Sequence, residues 1–111
     1  MAKTRLGFIS NSSSCSFIIK NKTTEYKDME DFAKETMYLV HDFNEEYGAD
    51  VTINSFMEGC KEYYTAWSPG EERVAVFGDE HGNDMGRVYD YMLRDGDHSK
   101  SFFWYFNEML R

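Results

Sequence analysis

The chain has 111 residues, enough for one hydrophobic core, and 17% of them are aromatic, which excludes a disordered acidic tail. Its 20 Asp and Glu against 12 Lys and Arg give a formal charge of -8, which disfavours direct binding to nucleic acid or to an anionic membrane. The same charge suits a basic protein partner, including a DNA-binding face. We therefore predict one globular domain over residues 1–111 that needs neither metal, cofactor nor disulfide.

Cysteine spacing and the first residues indicate the compartment. Cys15 and Cys60 lack the dense, even spacing of a secreted disulfide framework, so we expect both thiols to be reduced. No apolar run approaches the roughly 20 residues of a membrane span. Residues 1–20 place serines where a signal peptide has its apolar core. The sequence therefore predicts a cytoplasmic protein with no membrane partner.

The first two predicted elements are a strand and a long helix. The short β-branched run Ser16–Lys20 predicts a buried strand. Apolar residues then follow helical spacing from Asp28 to Tyr47, which predicts one helix over this range. Asp28 can cap its first turn through a carboxylate oxygen, and Gly48 can take the left-handed conformation that ends it.

The next segment, Asp50–Trp67, fits both the spacing of a helix and the composition of a strand. We predict a helix over Phe56–Tyr64. Ser55 and Glu58 have the spacing of a capping box, which supports this choice, whereas Gly59 weakens the helix.

The following stretch alternates turns with regular elements. A turn over residues 68–71 leads into a second strand, Glu72–Gly78, which is rich in β-branched and aromatic residues. Asn83 or Asp84 then opens a helix with an apolar stripe, and Gly96 closes it.

The aromatic run Phe102–Phe106 is predicted to lie on a last helix, capped by Ser99 or Ser101. On a helix, only some of these consecutive rings can face one core, so we expect Trp104 and Tyr105 to point outward or sideways. Exposed Trp and Tyr are common anchors of protein interfaces. The alternative is that both pack beneath the N-terminal segment. The residues predicted to face inward are Phe102, Phe103, Phe106, Met109 and Leu110.

Together the elements predict an α+β fold, in which three or four helices pack on a small sheet of two to four strands. A crossover from Phe17 to Phe77 through a helix would make these two strands parallel if they are neighbours. We find no internal repeat that would indicate another architecture.

Small polar residues, Asn11–Ser16, separate two apolar runs near the N-terminus. The hydroxyls and backbone N–H groups of Ser12, Ser13 and Ser14 could bind an anion such as phosphate. However, phosphate loops ordinarily follow a strand and lead into a helix, whereas these serines precede a strand. The simpler interpretation is a structured turn, in which the hydroxyls satisfy nearby backbone groups and apolar flanks keep residues 1–16 ordered.

The turn Gly78–Asp84 follows a strand and precedes a helix, where α/β proteins often place binding groups. Its candidate binding residues are Asp79, Glu80 and His81. Asp79, His81 and Asn83 alternate as the ligands of a calcium loop do, but the required glycine and the final glutamate are missing. The histidines lack cysteines at zinc spacing, so we predict no metal. A solvated acidic turn that favours the following helix N-terminus is the simpler alternative.

The stretch Arg5–Phe17, RLGFISNSSSCSF, resembles an N-terminal signature of small, mostly uncharacterised proteins of bacteriophages and prophages. In that signature, Gly-Phe-Val-Ser-Asn is followed by a run of serines and then by Phe. Here Ile9 replaces the valine and Cys15 interrupts the serines. The resemblance implies a phage-encoded protein that acts in the cytoplasm of a bacterial host, and it brings no catalytic residue with it.

The leading functional hypothesis is a non-catalytic binding protein that modulates or inhibits a host protein, such as a defence enzyme or a nucleic-acid enzyme. It follows from the resemblance, the acidity and the aromatic surplus near the C-terminus. A second hypothesis is a small nucleotide- or phosphate-binding protein or enzyme that uses the serine tract and the Asp79–Asn83 turn. A third is a minor virion or assembly component. The sequence leaves the oligomeric state open, including a homo-oligomer.

Overall fold

A central strand, β1 (Ser14–Asn21), organises the fold of the computed structural model, which describes residues 14–78 and 83–110. It is followed by β2 (Lys27–Asp28), α1 (Met29–Glu35), α2 (Tyr38–Tyr47) and α3 (Ile53–Glu58). A 3-10 helix (Gly59–Glu62) then leads to β3 (Ala66–Trp67) and β4 (Glu72–Gly78). The remaining elements are α4 (Asp84–Met92), β5 (Asp97–His98) and β6 (Phe102–Met109).

The main sheet is antiparallel throughout, with the strand order β4-β1-β6-β5, and β2 pairs with β3 in a separate small sheet. Within the described ranges, four α-helices accompany these sheets, so the predicted α+β class is confirmed. Side chains alternate across β1. Cys15, Phe17 and Ile19 are buried in the core, while Ile18 and Lys20 are on the other face and partly exposed.

The core is built mainly from aromatic rings that surround Phe32 of α1. The Phe32 ring centroid lies 5.0 Å from that of Phe102, 5.5 Å from that of Trp104 and 5.3 Å from that of Tyr89. All four side chains are buried. Because fully burying one such apolar ring contributes about 1.5–3 kcal/mol, this cluster is a major source of stability. It joins α1 to β6 and to α4.

Several local predictions are confirmed by the structure. Strand β4 spans the predicted range Glu72–Gly78, and β1 contains the predicted Ser16–Lys20. Asp28 caps α1, because its carboxylate accepts the N–H of Asp31 at 3.0 Å. Gly48 follows α2 with a φ of 64°, the left-handed conformation expected of it.

The prediction of one helix over Asp28–Tyr47 is wrong, because the chain forms two helices separated at Thr36 and Met37. The Thr36 hydroxyl donates to the Phe32 carbonyl at 2.8 Å. Since that hydroxyl has one hydrogen, the Tyr89 hydroxyl is the donor in the buried 2.6 Å contact between Tyr89 and Thr36. The apolar spacing continues across the break, so periodicity alone does not reveal it.

The helix predicted over Phe56–Tyr64 begins and ends earlier than expected. The backbone at Thr52 is extended, as an N-cap requires, and the Thr52 hydroxyl accepts the N–H of Ser55 at 3.0 Å. Ser55 and Glu58 therefore lie inside α3, and the predicted capping box between them is wrong. At Gly59 the α-helix gives way to the 3-10 helix.

The predicted last helix is also wrong, because Phe102–Met109 forms strand β6. Consecutive aromatic residues satisfy the helical period and the alternation of a strand equally well. Their high β propensity, together with backbone pairing along the length of β1, favours the strand. Ser99 and Ser101 therefore cap no helix; they lie in the turn that leads into β6.

The first two long strands are neighbours, but the prediction that they are parallel is wrong. In the antiparallel pair of β1 and β4, Phe17 lies opposite Ala75. The rule that led to a parallel pair applies to a crossover that returns the chain to the starting end of the sheet. Here three α-helices, the 3-10 helix and two short strands intervene, and the chain enters β4 from the opposite end.

We expect Thr36→Val to destabilise the protein more than Tyr89→Phe. Valine would leave the buried Tyr89 hydroxyl without its acceptor, at a cost of about 1–3 kcal/mol, whereas phenylalanine removes one hydrogen bond, at about 1 kcal/mol. Urea unfolding of both variants measures the difference. Equal losses, or a larger loss for Tyr89→Phe, would show that the buried Tyr89 hydroxyl does not depend on Thr36 for its hydrogen bond.

Glu35 joins the end of α1 to the turn before β6. Its Oε1 atom accepts the Ser99 hydroxyl at 2.6 Å and the Ser101 N–H at 2.8 Å. Partial burial by itself raises the pKa of Glu35, but the hydrogen bonds from Ser101 and Ser99 outweigh it and lower the pKa from its ordinary value of 4.5. The contact therefore stabilises the ionised carboxylate.

We expect Glu35→Gln to flatten the dependence of stability on pH. Because the pKa of Glu35 is lower in the folded protein, its contribution is present above about pH 4.5 and is lost as the pH falls through the folded value. Melting temperatures measured from neutral to acid pH test this, with Glu45→Gln as the control at an exposed acid of α2. Parallel curves for the wild type and Glu35→Gln would refute the expectation.

Candidate functional site

The structure describes only some of the predicted site residues. Those that lie outside the described residues are Ser12, Ser13, Asp79, Glu80 and His81. The prediction that residues 1–16 are ordered falls outside them too, except that residues 14–16 belong to β1. Three candidates, Ser14, Trp104 and Tyr105, can be placed in the fold.

Ser14 lies in β1 opposite Gly78 of β4. It is buried, and its carbonyl accepts the N–H of Leu110 at 2.9 Å. At the other end of the predicted turn, the Asn83 side chain accepts the N–H of Gly86 at 3.1 Å and caps α4, as predicted. Both groups are thus used by the fold. The serine tract and the turn continue from neighbouring residues of the sheet.

The two aromatic candidates in β6 face opposite sides of the sheet. Trp104 is only 1% exposed and packs edge-on against Phe32, so the prediction that it points outward is wrong. Tyr105 is 39% exposed and lies on the face away from the core. This difference follows from strand geometry, in which successive side chains point to opposite faces.

The face of the main sheet away from the core is largely apolar. Ile18 of β1 lies between Val74 of β4 and Tyr105 of β6, and Val76 and Phe103 extend the same surface. Val74 is 56% exposed, and the ring centroids of Phe103 and Tyr105 are 5.6 Å apart. We call these five side chains the outer sheet face.

Polar and charged groups border the outer sheet face. At one end of the sheet, Lys20 lies opposite Glu72 of β4 in the strand register. At the other end, Glu108 lies opposite Ser16. Beside them, at a bulge in β6, the Asn107 side chain donates to the Ser16 hydroxyl at 2.9 Å. An apolar centre with a polar rim of both charges is typical of protein interfaces.

A buried polar cluster forms where Cys15 contacts Asp90 of α4. Arg94 donates from Nη2 to the Asp90 carboxylate at 3.1 Å and from Nε to the Asp90 carbonyl at 2.6 Å. Burial of Cys15 and its hydrogen bond with Asp90 raise the pKa of the thiol to about 11. A thiol that stays protonated at neutral pH is a poor nucleophile, so this cluster serves the structure.

A cleft of about 420 Å³ opens between the start of α1 and the segment after the 3-10 helix. Three tyrosines, Tyr26, Tyr63 and Tyr64, line it together with Asp28 and Glu30. We call it the tyrosine cleft. It shares no residue with the outer sheet face.

Residues 14–78 and 83–110 contain neither a metal-binding cluster nor a membrane-spanning helix. No three His, Cys, Asp or Glu side chains in these ranges are grouped closely enough to hold a metal ion. No helix in the same ranges combines the length and the apolar composition that a membrane crossing requires.

No protein-family model, curated protein or solved structure matches the chain.

Sequence reasoning missed both surfaces, for different reasons. The alternation of Val74 and Val76 with the buried Ala75 and Phe77 is the signal of a strand with an apolar residue on each face, and it could have located the outer sheet face. No sequence pattern brings Tyr26 to the tyrosine cleft, because that approach depends on the pairing of β2 with β3.

We expect Cys15 to react with thiol reagents far more slowly than Cys60. Burial raises the pKa of both thiols, so accessibility decides the rates: Cys15 is fully buried, whereas Cys60 is partly exposed and lines the tyrosine cleft. Modification of the native protein by a soluble maleimide, followed by peptide mass spectrometry, should show Cys60 labelled at least about tenfold faster. Equal rates at the two thiols in folded protein would contradict the buried cluster.

Proposed function

We propose that this protein is a small, acidic, non-catalytic binding protein, which uses the outer sheet face to bind and modulate a protein of a bacterial host. The observation that carries the proposal is an apolar sheet face that none of the described helices covers. Contiguous exposed apolar patches on soluble proteins commonly mark interaction sites. Tyr105 and Phe103 add rings of the kind that anchor interfaces.

The dimensions of the outer sheet face suit the centre of an interface. Strands lie about 4.8 Å apart and rise about 3.3 Å per residue, and every second residue faces outward, so five outer side chains cover a footprint of roughly 160 Å². A stable interface buries about 800 Å² on each partner. The partner must therefore also contact the polar rim, where Lys20, Glu72 and Glu108 would contribute to specificity.

Net charge and the N-terminal resemblance support the choice of partner. A charge of -8 accelerates encounter with a basic protein and disfavours a nucleic acid as the direct ligand. Basic faces are common on enzymes that act on nucleic acids, including defence enzymes. The resemblance of residues 5–17 to phage and prophage proteins supports a bacterial cytoplasm as the place of action.

A nucleotide- or phosphate-binding function is the second candidate. It is supported by the position of Ser14 opposite Gly78 in the sheet. The serine tract leads into the first of these residues, and the predicted turn follows the second. Against it, a cleft of about 360 Å³ at the end of that turn is lined by three acids, Glu58, Glu62 and Asp84. Lys61 also lines this cleft but pairs with Glu58 at 3.1 Å, so the acids outweigh it and repel phosphate. The outer sheet face therefore supports the better proposal.

We expect the double substitution Val74→Thr and Tyr105→Thr to abolish partner binding without unfolding the protein. Threonine keeps the β propensity of both positions while removing apolar contact area. In affinity capture from bacterial host lysate, the wild type should retain one stoichiometric protein, and the double variant at least about tenfold less of it. The matched control is Tyr38→Thr, which changes an exposed tyrosine of α2 outside the face.

Two results would contradict the proposal, and they differ from each other. Equal retention of the same protein by all three baits would show that the outer sheet face is not the contact surface. No stoichiometric protein on any bait, together with thermal stabilisation of the wild type by phosphate or a nucleotide, would favour the second candidate. Circular dichroism and melting temperature verify that the variants are folded.

A further inference from the structure

The tyrosine cleft exposes aromatic rings to an unusual degree. Tyr64 is 91% exposed and Tyr26 is 67% exposed, although both line the same cleft. Tyrosine usually buries most of its ring, because the ring contributes a large apolar area to packing. Two exposed rings around one opening therefore offer faces on which a ligand group can stack.

The third ring of the cleft is held firmly. The Tyr63 ring centroid lies 5.1 Å from that of Phe77, edge to face. The Tyr63 hydroxyl lies beside Gly86 of α4. It is so close that a Cβ atom at position 86 would be only 2.6 Å from the hydroxyl oxygen. The cleft thus combines a fixed ring with two rings that extend into solvent.

The electrostatic field in the tyrosine cleft is negative. Asp28 and Glu30 line the opening, and Lys61, the cation that also lines it, pairs instead with Glu58 at 3.1 Å. Glu30 lies 3.5 Å from Lys34 in a pair whose side chains are both 60% exposed, so solvent screens that attraction. Burial, followed by the charges of Glu30 and Asp28, raises the pKa of the Cys60 thiol, which reports the same field.

Aromatic faces beside carboxylates have a definite ligand preference. The face of a tyrosine ring attracts cations, and a planar guanidinium can stack on it while it donates to a carboxylate. Asp28 and Glu30 would repel a phosphate or an acidic peptide. Lys61 could attract one, but it already pairs with Glu58.

We propose that the tyrosine cleft binds the arginine side chain of a basic polypeptide segment, which stacks on Tyr64 and Tyr26 and pairs with Glu30. This site is separate from the outer sheet face, and the proposal does not depend on that surface being an interface. It adds a second contact whose chemistry selects basic partners.

The test is a titration with hexa-arginine peptide at physiological ionic strength, followed by heteronuclear NMR. We expect the largest shifts at residues of the tyrosine cleft, and we expect Tyr64→Ala and Glu30→Gln each to weaken binding about two- to fivefold. The matched controls, Tyr38→Ala and Glu45→Gln, remove the same groups from α2 and should leave the affinity within about 1.5-fold. A peptide of citrulline, the neutral analogue of arginine, should not bind.

Several results would overturn the proposal. Equal weakening by Glu30→Gln and Glu45→Gln, with no effect of Tyr64→Ala, would mean diffuse attraction between opposite charges. Binding of the citrulline peptide would exclude recognition of the cation. The double variant Val74→Thr and Tyr105→Thr should bind hexa-arginine like the wild type, so failure of the cleft and failure of the outer sheet face give different results.

Discussion

The packing of Phe32 against rings from three other parts of the chain is the contact on which the structure depends. It joins α1 to β6, to α4 and, through Trp67, to β3. Trp67 in turn donates from its indole N–H to the carbonyl of Ile19 at 2.9 Å, which fixes the small sheet to the central strand. The large rings of the core are therefore concentrated on one side of the main sheet.

A one-sided core explains why the molecule has two chemically different surfaces. When helices and small strands pack on one face of a sheet, the opposite face keeps its side chains in solvent. That face carries β-branched and aromatic residues, because these residues suit strands whichever way they point. The tyrosine cleft arises where the chain leaves the core between the 3-10 helix and β3, and there acidic and aromatic residues meet.

The sequence predicted those features whose cause is local. The side chains of Asp28 and Asn83 cap the N-termini of α1 and α4, and Gly48 ends α2 through its left-handed backbone. These roles depend on the residues themselves, so they could be recognised without the fold. Strand β4 was predictable because its composition and its bounding turn agree.

Features that depend on distant partners were not predictable. The Thr36 hydroxyl at the break between α1 and α2 contacts the distant Tyr89 hydroxyl, and β6 pairs with the backbone of β1. The predicted orientation of Trp104 was wrong because it was based on a helix. Tyr105 is exposed, as predicted, but for a different reason, which is the alternation of side chains along a strand. The tyrosine cleft could not be predicted, since its tyrosines come from separate segments.

The central position of β1 also determines the order in which the protein can fold. Cys15 lies opposite Phe77 on one side and opposite Met109 on the other, so both partners are translated long after β1 itself. Helical hydrogen bonds are local, but the middle strand stays unpaired on one edge until β6 is complete. Closure of the sheet is therefore a late event that depends on β6.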